Sequence, residues 1–281
     1  MNMDRTPLIS IIMPARNAGA HIGQAIASVM AQSWSNWELI IIDNGSTDDT
    51  QKVISQFEDH RLIILHEPVP GVSRTRNKGL EVMKGQFYCF LDADDVLPPR
   101  SLEARAGVLM NDPLVCFADG YVDRLDHHSG ALTPLHRPTL RGDAFPALMV
   151  LSGSAFAGPS WMIRRTPGTT ARFPEHMTHA EDLAYFMTIA RAGAYAYSQE
   201  VVLHYRSGHG SAMSDIRALD KGYIDLYQHA ATLAPPPSAG LLIALWKRIE
   251  RVMFRGFLKR LMPLSALRVL LRARPQAEHR S

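Results

Sequence analysis

The chain has 281 residues, 46% of them hydrophobic and 20% charged, with a net charge of +3. That is enough apolar material for a sizeable core in one large domain, or one domain with an appendage, and it excludes a disordered chain. The small net charge, with no nucleic-acid-binding motif beside it, argues against a nucleic-acid partner, and no run approaches the ~20 apolar residues of a spanning helix.

Leu8 to Met13 (LISIIM) reads as a first strand closed by Pro14; it is too brief for the apolar core of a signal peptide. His21 to Gln32 carries Ile22, Ala25, Ile26 and Val29 at helical spacing. Trp37 to Ile42 is a second buried strand ending at Asp43. The loop NGSTDD follows, where Asp48 and Gln51 have the spacing of a capping box. Leu62 to Leu65 is a third strand. Val72 to Met83 is a helix with Arg74, Arg76, Asn77 and Lys78 near its start and Gly85 in the place of a C-terminal cap.

The stretch Phe87 to Leu97 (FYCFLDADDVL) is the most informative. Its apolar run predicts a strand buried on both faces, as in a parallel sheet. It ends in Asp92, Asp94 and Asp95, whose carboxylates repel one another unless a positive charge lies among them. Hard oxygen donors at that rim suit Mg²⁺ or Mn²⁺, whereas capping of the helix after Pro99 accounts for only one of the three. Strand–helix alternation over the first hundred residues predicts an α/β fold with a mostly parallel sheet. Gly-x-Gly-x-x-Gly does not follow the first strand and no Gly-x-x-x-x-Gly-Lys-Ser/Thr occurs, which argues against a dinucleotide dehydrogenase and a P-loop NTPase.

Beyond Pro98, a helix is expected over Ser101–Met110, a strand over Leu114–Ala118, hairpin or loop over Asp123–Arg141, and a short strand over Trp161–Ile163. Glu181–Arg191 reads as a helix, Val201–Tyr205 as a strand leading into RSGHGSAMS, and Ile216–Leu233 as a helix broken by Pro235, Pro236 and Pro237. Cys89 and Cys116 lie in apolar runs and read as buried, reduced thiols, which favours a cytoplasmic setting. From Leu242 a stripe of Leu245, Trp246, Ile249, Met253, Phe257 and Leu261 alternates with Lys247, Arg248, Arg251, Arg255 and Lys259. This basic amphipathic stretch, 241–272, has two readings: contact with an anionic membrane surface, or packing on the domain with a solvated basic face. Trp34 and Trp161 are either sugar-stacking platforms or core residues.

Taken together, IIMPARN, IIIDNGSTDDT, GVSRTRNKGL, FLDADD, Glu181-Asp182 and HYRSGHGSAMS resemble, in order, the motifs of the inverting family-2 glycosyltransferases of the GT-A fold. The resemblance covers roughly residues 8–214. It implies a GT-A domain over 1–215, with a nucleotide-sugar half (1–118) and an acceptor and catalytic half (119–215), followed by a basic helical extension (216–281). It also implies a nucleoside-diphosphate sugar donor, a UDP-sugar first, and a glycan or lipid-linked acceptor in envelope polysaccharide or lipopolysaccharide synthesis. The enzyme would lie in the cytoplasm or at the inner face of the plasma membrane.

By the same resemblance Pro14, Ala15 and Asn17 line the base and ribose pocket, Asp43 contacts the base, and Arg76 reaches the diphosphate or base. Asp92 faces the ribose or metal and Asp94 holds a divalent Mn²⁺ or Mg²⁺. His209 completes the metal shell, touches a phosphate, or is structural. Asp182 is the base and Glu181 positions the acceptor; the alternative for the pair is two acids complementing a helix dipole. Arg206, Ser211 and Ser214, with Gly208 and Gly210, are expected to form a mobile lid. Two rivals remain. A haloacid-type phosphohydrolase would want LDADDV on its first strand, and a catalytically silent binding relative has no need of intact Asp92, Asp94 and Asp182.

Overall fold

The computed structural model describes residues 6–155, 160–166, 168, 170–208 and 215–275. In chain order the elements are β1 (Ile9–Ala15), α1 (Ile22–Met30), β2 (Trp37–Asp43), α2 (Thr50–Ile54), β3 (Leu62–His66), α3 (Val72–Val82) and β4 (Phe87–Phe90). There follow α4 (Ser101–Asn111), β5 (Val115–Asp126), β6 (Leu132–His136), α5 (Phe145–Met149), β7 (Met162–Arg164), α6 (Glu181–Ile189) and β8 (Ala194–Ser207). The chain ends in α7 (Ile216–Ala231), α8 (Ala239–Lys259) and α9 (Pro263–Leu271).

The strands form one sheet in the order β3-β2-β1-β4-β7-β5-β6, with β8 also on β5. β3, β2, β1 and β4 are parallel, β7 is antiparallel to both β4 and β5, and β8 runs parallel to β5 along its length. Apolar residues on both faces of the central strands need cover on both sides. Ile9, Ile11 and Met13 pack beneath α1 and α4, whereas Ile12, Ile40 and Ile42 share a core with α5 to α9. The parallel register sets Ala15 beside Asp43 and Ile12 beside Phe90, so the carboxyl ends of β1, β2 and β4 open on one rim. Ligands bind at such a rim in open α/β sheets.

Helix α3 approaches β1 closely because Gly79 has no side chain: a Cβ there would lie 2.4 Å from Ile12 Cγ2. Gly79→Ala is expected to cost about 1–3 kcal/mol through overpacking, read as a lower melting temperature with the fold retained.

Several boundaries differ from the sequence reading for identifiable reasons. β1 continues through Pro14, which pairs with Ile42; β4 has already ended at Phe90, so on that side Pro14 has no ladder bond to lose. β4 stops there because the chain turns, with Asp95 N donating to Asp92 O at 3.0 Å. The capping box is not formed. Asp48 instead accepts from Gly19 N and Thr50 N, tying the loop after β2 to that after β1, and Gln51 Nε2 donates to Asp43 Oδ2 at 2.6 Å. Gly85 is no left-handed cap; a Cβ would strike Ser10 and the Phe87 carbonyl. β5 runs past Asp119 and β8 starts seven residues before Val201, because the two strands pair over their whole length. Trp161 is wholly buried against Phe117, Phe186 and Tyr195, and Trp34 Nε1 donates to Pro7 O, so neither stacks in the rim cleft.

Leu245, Trp246, Ile249, Met253 and Phe257 of the C-terminal stripe are buried in the main core, so packing on the domain accounts for these five, whereas Leu261 is exposed. Among the described residues no helix is long and apolar enough to cross a membrane. Cys89 and Cys116 are free and buried.

Candidate active site

A cleft of about 960 Å³ opens on the carboxyl rim of the sheet. One wall carries Pro14, Ala15 and Asn17 from the end of β1, another carries Asp92 and Asp94, and Glu181 and Asp182 face in from the start of α6. Gly208 and the end of β8 form a further edge. The structure therefore brings Pro14, Ala15, Asn17, Arg76, Asp92, Asp94, Glu181 and Asp182 to one hollow. His209, Gly210, Ser211 and Ser214 lie outside the described residues.

Asp43 is not among the residues lining the cleft. It is buried, with Oδ1 accepting from Ser46 N and Oδ2 from Gln51 Nε2. Burial pushes its pKa up, but those hydrogen bonds outweigh it and hold the carboxyl below its ordinary value. It shapes the loop after β2, and its neighbour Asn44 lines the cleft instead. Asn44 accepts from Gly71 N and donates to the carbonyls of Glu67 and Val69, so it fixes the start of α3. Nothing in the sequence singled it out beyond its place beside Asp43.

The positive charge demanded by the acidic rim comes first from the protein itself. Arg76, on the inner face of α3, has a side chain only 6% exposed. Its Nη2 donates to Asp92 Oδ1 at 3.0 Å and its Nη1 to Glu181 Oε1 at 3.0 Å. Burial lowers its pKa, but Asp92, Glu181 and Asp182 outweigh that and hold it above the ordinary value. Arg74 and Lys78 point elsewhere, to Glu175 and the His66 carbonyl. In this state Arg76 is thus a strut across the cleft floor.

Arg206 is a second strut, not part of a lid. It is buried, with N donating to Asp95 Oδ1 at 2.8 Å, Nε to Asp94 O at 2.7 Å and Nη2 to Gln24 Oε1 at 2.6 Å. Three bonds lock the acidic turn to β8 and α1. Asp95 is 1% exposed, and burial together with Asp92 and Asp94 pushes its pKa well up. It supports the turn from below and leaves Asp92 and Asp94 to face the cleft.

Asp182 has the opposite environment from Asp43. Its Oδ1 accepts from Leu183 N at 2.7 Å. Burial and the neighbouring Glu181 charge push its pKa up to about 6, against the pull of Arg76. A carboxylate so tuned is a competent proton acceptor near neutral pH. Beyond it the cleft becomes apolar, with Leu148, Leu151, Leu183, Leu219 and Tyr223. Of the four non-glycine residues with left-handed φ among those described, Asn17, Leu151 and Ala180 all line this cleft. Backbone strain of this kind persists where the surroundings hold a site in a set shape.

For a divalent cation the candidate donors are Asp92 and Asp94. Among the described residues no group of three or more His, Cys, Asp or Glu could cage a metal. Two carboxylates on one turn fit Mg²⁺ or Mn²⁺, which take one or two carboxylates and draw the remaining oxygens from water and substrate phosphates.

The sequence model of the family described as Glycosyl transferase family 2 matches residues 10–166. Over 213 residues the chain is 30% identical to the putative teichuronic acid biosynthesis glycosyltransferase TuaG of Bacillus subtilis, covering 74% of this chain and 82% of that one. It is 34% identical over 123 residues to WfgD of Escherichia coli, a UDP-Glc:α-D-GlcNAc-diphosphoundecaprenol β-1,3-glucosyltransferase, covering 43% and 48%. Among solved structures, S. aureus TarS 1–349 in complex with UDP-GlcNAc superposes with a TM-score of 0.71 at 17% identity, over 95% of this chain and 81% of that one. The mannosyltransferase PcManGT from Pyrobaculum calidifontis, in complex with GDP-Man and Mn²⁺, gives 0.62 at 19% identity, over 95% and 75%. These likenesses extend to the fold.

Proposed function

The chain belongs to glycosyltransferase family 2 and has the GT-A fold, and from that premise we propose that it is an inverting transferase moving a sugar from a nucleoside-diphosphate donor to a hydroxyl of a glycan or lipid-linked acceptor. The observation that carries this reading is the arrangement of the cleft: an acidic turn, Asp92 and Asp94, on one wall and a carboxylate of raised pKa, Asp182, on another.

Pro14, Ala15 and Asn17 line the wall that would take the base and ribose. Asp94 and Asp92 would hold Mn²⁺ or Mg²⁺, with His209 a further candidate ligand. A bound cation supplies charge neutralisation for the departing diphosphate. Asp182 accepts the proton of the attacking hydroxyl, and Glu181, fixed by Arg76, orients the acceptor. The O–H proton passes to Asp182 as the new C–O bond forms, and the anomeric bond to the diphosphate breaks on the opposite face. Arg76 is close enough to this wall to exchange Asp92 for a phosphate when donor enters. Support for a UDP-sugar and a lipid-linked acceptor comes from WfgD, which uses both by its name, and for a cation from PcManGT. The buried thiols are in keeping with a cytoplasmic setting.

The test is product analysis: a panel of UDP- and GDP-sugars with Mn²⁺ and lipid-linked or glycan acceptors, the product anomer read by NMR. A new linkage of inverted configuration is expected; retention of configuration, or phosphate release from simple esters in place of transfer, would overturn the reading. The pH profile is a second check. Asp182 must be unprotonated to act, so kcat/KM is expected to fall about tenfold per pH unit below a limb near the value of about 6 set by its surroundings.

A further inference from the structure

Helix α9 leaves an unusual face to solvent. Its Ala266 and Val269 are buried against the domain, whereas Leu264, Leu267 and Leu271 are 75%, 53% and 76% exposed. Leu261, in the turn before it, is 90% exposed, and Leu258 and Leu270 extend the patch. At 100° per residue, positions 264, 267 and 271 fall on one side of the helix, with Arg268 beside them. An exposed apolar patch of this size on one face marks an interaction surface.

Charge decides what covers it. Between Arg251 and Pro275 the chain carries seven Lys/Arg and no Asp or Glu. A second copy of the chain related by a two-fold axis would bring these like charges together. An anionic surface would instead neutralise them, and a guanidinium within an apolar stripe can reach upward to phosphates while its stem stays among acyl chains. The same layer adjoins the cleft. Arg272 Nη1 donates to Asp220 Oδ1 at 2.7 Å in the first turns of α7, and the adjacent Leu219 and nearby Tyr223 line the apolar end of the cleft. Gly256 of α8 packs on Ile216 at the start of α7.

We propose that α9 and the last turn of α8 dock on an anionic lipid bilayer, with Leu261, Leu264, Leu267 and Leu271 entering the headgroup–acyl boundary and Lys259, Arg268 and Arg274 meeting lipid phosphates. The membrane contact thus lies on α9, not on the buried stripe of α8. The inference rests on the lipid-linked acceptor reading above: an acceptor carried by a lipid offers its sugar at the bilayer surface, next to the cleft end that the α7–α9 layer borders.

The experiment is flotation of the full chain with vesicles of phosphatidylglycerol and phosphatidylcholine, and of phosphatidylcholine alone. The wild type is expected to float with the anionic vesicles and at least about tenfold less with neutral ones. Leu264→Gln/Leu267→Gln/Leu271→Gln, all on exposed positions, is expected to melt as the wild type does but to lose flotation by about tenfold or more. Transfer to a short, water-soluble acceptor is expected to be unchanged in that variant, while transfer to an acceptor embedded in vesicles falls. Flotation equal in variant and wild type, or no flotation of the wild type, would overturn the docking. So would a variant that altered only the monomer–dimer balance in sedimentation, since a second copy would then be the occupant. Flotation as expected with no transfer to any acceptor would overturn the enzymatic reading and leave the docking standing.

Discussion

Asp182→Asn is expected to reduce transfer by about 10²–10⁴-fold, the range for loss of a positioned general base. The amide oxygen can still accept from Leu183 N, so the first turn of α6 is retained. What is lost is the site for the acceptor's proton. Donor binding is expected to change by no more than about twofold, since the acidic turn on the facing wall and its Arg206 strut are untouched. Calorimetric titration with UDP and a rate assay on the same preparation separate the two effects. Turnover retained in this variant would remove Asp182 from the reaction.

Arg76→Met is expected to be the most destabilising single change in the cleft. It removes the cation between Glu181, whose side chain is 12% exposed, and Asp92, 32% exposed. Breaking a fully buried pair costs about 3–5 kcal/mol; with Asp92 partly open to solvent, about 2–4 kcal/mol is expected here, a fall of the order of 10 °C in melting temperature. Arg76 also restrains the pKa of Asp182, so its loss is expected to move the acidic limb of residual activity to higher pH. Thermal melts and a pH–rate profile check both. Arg76→Lys, which keeps the charge but not the two-pronged geometry, is expected to recover part of the stability.

The sheet was legible wherever burial and period agreed. LISIIM, WELIII and FYCF read as buried strands because all but Ser10 and Glu38 in them are apolar, those two hydrogen-bond to each other, and the strands pair in parallel. The turn after β4 was legible because three carboxylates in four residues have few structural explanations. Less legible were the long β5 and β8, whose second halves mix polar and apolar residues and become strands by pairing with each other and, for β5, with β6. Side-chain direction was the main loss. Asp43 and Arg76 both sit where the family motifs place them, yet Asp43 turns into its own loop and Arg76 spans Asp92 and Glu181. Both outcomes depend on partners far along the chain, and Glu181 lies 105 residues from Arg76. Arg206 was read as mobile from the glycines around it, but its hydrogen bonds to the Asp94 carbonyl and Gln24 are tertiary and have no local signal. In the tail the amphipathic period was plain, but only the packed structure separates the buried stripe of α8 from the exposed leucines of α9.

The account turns on a nucleoside diphosphate being gripped at the Asp92–Asp94 turn. Calorimetric titration of UDP and GDP into the 281-residue chain, with and without Mn²⁺, for wild type and Asp94→Ala, tests this most directly. The predicted result is binding of one nucleotide that needs the cation and weakens about a hundredfold or more in Asp94→Ala, at an unchanged melting temperature. Equal nucleotide affinity in the two proteins would contradict it.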